Sequence, residues 1–185
     1  MLRCDPFRVK ESSLITHQRR NLMPAETNHA RNDNFTGIWA WLFPFSYLIH
    51  IAEEYWGGFP AWIARFWGVE SSLDNFLSWN GGAWVMMTVG VILVLKTKSY
   101  RWLLVSFGTV VLVNGLVHAI ASVVTLSYSP GLISGLLLFV PLGAITLRRA
   151  RVSMNRRTFR SGLIVGVLMH GAVVLLAFGF AKISA

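Results

Sequence analysis

The chain reads as an all-α, polytopic integral membrane protein: a helical bundle of about five transmembrane helices plus a short interfacial helix. Three observations carry that reading. Apolar residues make up 54% of the 185 residues and charged residues only 14%, where a soluble domain is nearer a quarter charged. Mean hydropathy is +0.53. The apolar residues are gathered into five runs, each close to the roughly 20 residues that cross a bilayer as a helix. The basic excess, 17 Lys and Arg against 8 Asp and Glu for a net charge of +9, would suit a nucleic-acid binder. Its distribution argues for a lipid bilayer and no nucleic acid, because the charges separate apolar runs instead of gathering on one surface. Cys4 is the lone cysteine, which excludes an internal disulfide.

Residues 1–34 are polar and basic, with Arg3, Arg8, Lys10, Arg19, Arg20 and Arg31. They lack the apolar core of a signal peptide and any helical period, so they are expected to form a largely disordered cytoplasmic leader. His17 and His29 fall in it and are expected to be solvated. The transmembrane domain is expected over 35–185. Its first span, 35–56, has Trp39 and Trp41 at entry, Tyr55 and Trp56 at exit, and Pro44 as a predicted kink. Gly57-Gly58-Phe59-Pro60 ends that helix. Phe59, Trp62, Ile63, Phe66 and Trp67 then recur at helical spacing over a segment too short to span. It is expected to lie in the interface or to cap the first span, its aromatics forming an interfacial belt. Spans follow at 76–95, 102–126, 130–147 and 162–183, with Pro141 predicted to kink the fourth.

Orientation comes from Lys and Arg. Segments 96–101 and 148–160 hold nine of them and the leader six, so 15 of the 17 lie on one side of a five-span arrangement. The positive-inside rule then puts the N-terminus in the cytoplasm and the C-terminus outside a cell (plasma) membrane.

Ionisable side chains within spans are costly and face the bundle interior. His50, Glu53 and Glu54 close the first span, and on a helix they occupy one arc about 100° wide. In the third span Asn114, His118, Ser122 and Thr125 share a face about 80° wide. Counted at 1.5 Å per residue, His50 lies roughly 20 Å from the inner side, and Asn114 and His118 roughly 20–25 Å. The matching depths predict one shared site in the outer half of the membrane. His170 lies deeper, roughly 13 Å from the inner side, on a helix whose Gly162 and Gly166 permit close packing. Adjacent carboxylates repel unless a metal, a proton or a histidinium neutralises them.

Three motifs in order resemble one family. His50-Ile-Ala-Glu53-Glu54 has the form His-x-x-Glu-Glu, and Asn114-Gly-Leu-Val-His118 the form Asn-x-x-x-His. Tyr128-Ser-Pro130-Gly131-Leu-Ile-Ser134 opens the fourth span. Together, over about residues 38–147, they resemble the HXXEE family of bacterial integral membrane proteins. The resemblance implies a membrane location and a site, without a reaction.

The side chains admit three functions. In a metal-dependent enzyme His50, Glu53, Glu54, His118 and His170 would bind a divalent transition metal, zinc or iron, with Asn114 in support and His50, Glu53 and Glu54 catalytic. The substrate would be an apolar small molecule, lipid or isoprenoid-like. A metal-free acid–base isomerase of a sterol- or terpenoid-like ligand would use the same groups as paired acid and base. A non-enzymatic binding or assembly protein is the third.

Overall fold

The computed structural model describes residues 37–183, and side chains to Leu175. The leader, with Cys4, His17 and His29, lies outside the described residues. Every regular element among them is helical. A 3-10 turn, Ile38–Trp41, runs into α1, Leu42–Trp56. α2 is Phe59–Trp67, α3 Leu73–Lys96 and α4 Trp102–Thr125. α5 is Leu132–Ser153, with a π-helical segment at Gly135–Phe139, and α6 is Arg156–Ile183.

Among the described residues four helices are long and apolar enough to cross a membrane, α3 to α6, the second of them, α4, together with the 3-10 turn before it. The first predicted span is not among the four. The 3-10 turn and α1 together rise about 30 Å, but His50, Glu53 and Glu54 lower the hydropathy of that stretch. Pro44 lies close to the junction between the 3-10 turn and α1. It is the third residue of α1, near a helix start, where proline is better tolerated than in a helix interior. Pro141 sits just past the π-helical segment, at the first turn of the α-helical stretch Val140–Ser153, so the predicted kink is a change of helical pitch. α3 begins before residue 76 because Ser72 caps it, its Oγ accepting the Asn75 N–H at 3.1 Å. The basic segment 148–160 is mostly helix: α5 carries Arg148, Arg149 and Arg151, and α6 starts at Arg156 with Asn155 accepting the Thr158 N–H at 2.8 Å.

α4 is the central helix. Leu104, Val105, Ser106, Phe107 and Val111 are all 2% exposed or less. α6 packs closely along it through Gly162 and Gly166. A Cβ on Gly162 would lie 2.6 Å from Val105 Cβ, and one on Gly166 2.6 Å from Thr109 Cβ. Ser106 Oγ donates to the Gly162 carbonyl at 2.9 Å across the contact. α1 is tied to α3 by the Trp84 indole N–H on the Pro44 carbonyl at 3.1 Å and the Tyr47 hydroxyl on Asn80 at 2.8 Å. Both ties hold the first turns of α1 against α3.

Candidate metal centre

α1 ends in the His-x-x-Glu-Glu stretch, and residues four apart share a helix face. His50 and Glu54 therefore point into the bundle together. His118 reaches them from α4, and the three are 0%, 5% and 5% exposed. A single Glu54 oxygen, Oε1, lies 3.6 Å from His50 Nε2 and 3.3 Å from His118 Nε2. One ligating atom from each residue falls within 4.8 Å of the others. The imidazoles meet edge to face, 5.0 Å between centroids at 76°.

The far nitrogen of each ring is held by the segment entering α5. His50 Nδ1 pairs with Ser134 Oγ at 2.8 Å, and His118 Nδ1 with Ser129 Oγ at 3.0 Å. Each ring is thus oriented with Nε2 toward Glu54, and His50 Nε2 has no hydrogen-bond partner among the described residues. Gly131 lies between the serines at φ +100°. A Cβ there would lie 2.7 Å from His118 Cε1 and 2.8 Å from His50 Cε1, so both backbone and space demand glycine. The serines and Gly131 were not singled out as site residues by sequence reasoning. Their signal was the Tyr128–Ser134 motif itself.

Glu53 points elsewhere. Its Oε1 accepts the Tyr128 hydroxyl at 2.5 Å and the N–H groups of Gly131 at 3.2 Å and Ile133 at 2.8 Å. Its Oε2 accepts the Ser134 N–H at 2.6 Å. These N–H groups open α5 and have no partner within the helix, so a carboxylate suits them in charge and geometry. Burial, then the bond to Glu53, push the Tyr128 phenol up to about 12. The structure therefore brings together His50, Glu54 and His118 and leaves Glu53 out of that group, as the anchor of the segment that orients both histidines.

Asn114 and His170 are adjacent to the group instead of within it. They line a cavity of about 340 Å³ that also reaches Glu54 and His118. α2 covers it: Phe59 packs 5.7 Å from the His118 ring, and the Trp62 indole donates to Ser127 Oγ at 3.2 Å. Trp62 and Trp67 line the cavity, and Trp67 is 49% exposed. Trp56 is 81% exposed. Ser122 and Thr125, on the same α4 face as His118, hold the following turn, Ser122 Oγ accepting the Ser129 N–H at 3.0 Å and Thr125 Oγ1 pairing with Ser127 Oγ at 2.9 Å.

A family described as proteins of unknown function with an HXXEE motif matches residues 41–146, from the start of α1 into α5. No curated protein and no solved structure matches the chain.

Proposed function

The chain belongs to the HXXEE family, and from that premise we propose that it is a metal-dependent membrane enzyme acting on a lipid or isoprenoid-like substrate. The observation that carries the reading is the spacing of Glu54 Oε1 from the two Nε2 atoms, 3.3 and 3.6 Å. A charge-assisted hydrogen bond would close to about 2.7–2.9 Å. Ligands about 2.05 Å from a tetrahedral zinc stand about 3.4 Å apart, and a regular octahedral site of similar bond length would want about 3.0 Å. The spacings leave room for an ion between the three side chains, and imidazole with carboxylate suits zinc or iron.

Two histidines and one glutamate also make the protein ligand set of a catalytic site, three ligands with a further position for water or substrate. A divalent ion there would supply a Lewis acid. The chain's own residues do the rest. Ser134 and Ser129 fix the ring orientations, α2 covers the site, and the cavity walls, Tyr47, Phe59, Ile63 and Phe76 among them, favour an apolar molecule. The His118–Glu54 approach also supports a second reading, acid–base isomerisation of a sterol- or terpenoid-like ligand without metal.

For the location we propose a plasma membrane crossed five times, with α1 counted as a crossing. The basic ends of α3, α5 and α6 would face the cytoplasm and the C-terminus the outside. Reconstituted protein incubated with a lipid extract tests the activity. A product made by wild type, lost on chelation and restored by zinc is the expected result. The same product formed by Glu54→Gln would contradict a metal-dependent enzyme, and chelator-insensitive turnover would favour the acid–base reading.

A further inference from the structure

The cavity contains two polar side chains that the described structure leaves unengaged. Asn114 Oδ1 is buried with no hydrogen-bond partner. His170 is half-buried and makes no hydrogen bond among the described residues. Other polar groups of the lining are engaged: the Tyr47 hydroxyl by Asn80, the Asn80 amide by the Phe76 carbonyl, and Ser129 by His118. A buried amide oxygen without a partner is a cost that folded proteins rarely carry without use.

The helix register puts these two groups at one level. Gly162 packs at Trp102 and Val105, and Gly166 at Ser106 and Thr109. Four residues on, along parallel helices, His170 comes level with Val110 and Val113, beside Asn114. Asn114 in turn lies one helical turn from His118, about 6 Å along α4.

The chemistry of the pair is selective. A carboxamide and a neutral imidazole each offer one donor and one acceptor function, which matches a hydroxyl group. No Lys or Arg lines the cavity, whereas Glu54 does. An anionic carboxylate or phosphate head would be buried with no counter-charge and near a like charge. We propose that Asn114 and His170 receive the hydroxyl of an otherwise apolar alcohol, held one turn from the candidate metal centre. The proposal deepens the enzymatic reading by naming its substrate class, and it rests on the cavity being that enzyme's substrate pocket.

Native mass spectrometry of the purified protein counts bound metal and bound probe together. The probes are 1-decanol, decyl methyl ether and decanoic acid, each added to the detergent-solubilised full chain. Wild type should retain decanol about tenfold over the ether, and the ether over decanoate. Asn114→Leu and His170→Phe should each bring the alcohol-to-ether ratio near one while still retaining ether. His118→Ala should lose the metal and keep the alcohol preference. An alcohol preference in metal-free wild type would uphold the hydroxyl site while sinking the metal reading. Equal retention of decanol and ether, preferred binding of decanoate, or a preference that survives both cavity substitutions would overturn the hydroxyl site.

Discussion

Two adjacent glutamates on one helix have different work. Glu54 is buried between His50 and His118, whereas Glu53 gathers the Tyr128 hydroxyl and three backbone N–H groups. Their substitutions should therefore separate. Glu54→Gln should reduce bound metal to background, because it removes a ligand. Glu53→Gln should keep a metal site but weaken it about 10–100-fold, the usual effect of disturbing the groups that orient ligands. It should also lower stability by about 1.5–3 kcal/mol, the scale of one hydrogen bond to a charged group. Equal metal loss in the two variants, read by metal titration, would show that Glu53 is a ligand too. Ser134→Ala and Ser129→Ala belong with Glu53, each predicted to weaken metal about 10–100-fold while leaving the helices intact by circular dichroism. His50, His118 and Glu54 were legible in the sequence, since helical period and depth suffice to bring them together, whereas His170 lies beside the group. Glu53's partners were not, because they lie 75 to 81 residues away in a segment whose path no periodicity encodes.

At the scale of elements, the segment from Tyr128 to Ser134 is what turns a polar helix end into a site. It holds both rings from behind, and Gly131 is the point where it passes closest to them. Gly131→Ala adds a methyl at φ +100° against two imidazoles. It should destabilise the fold by about 1–3 kcal/mol as an overpacked, strained position and lower metal affinity as well. A thermal melt unchanged from wild type would contradict this. Gly166 tests the other side of α4. Gly166→Leu should push α6 away from α4 and lower the melting temperature more than Gly171→Leu, since nothing lies within 4 Å of a Cβ at Gly171. The Gly162 and Gly166 contact was readable from its four-residue spacing. The 3-10 start of the first span and the π-helical segment before Pro141 were not, because each is a local change of pitch within an apolar run that looks continuous.

At the scale of the molecule, four helices among the described residues carry enough apolar length to span, and α1 does not reach that measure because it carries the site. Composition and Lys/Arg spacing made the helical membrane architecture legible. They could not reveal that α2 closes over a cavity, which depends on Phe59, Trp62 and Ile63 lining it. Topology is testable with single cysteines in a Cys4→Ser background. Ser99→Cys and Asn155→Cys should react with a membrane-impermeant maleimide from the cytoplasmic side only, and Leu126→Cys from the opposite side only. Ser99→Cys and Leu126→Cys reacting from one side would break the proposed arrangement. The central claim is that the bundle holds a metal between His50, Glu54 and His118. Elemental analysis of the detergent-purified wild type tests it most directly. The account predicts about one transition-metal ion per chain, most simply zinc, removed by chelator and restored stoichiometrically on zinc addition. Metal at background in the wild type, with no uptake and no thermal stabilisation when zinc is added, would contradict it.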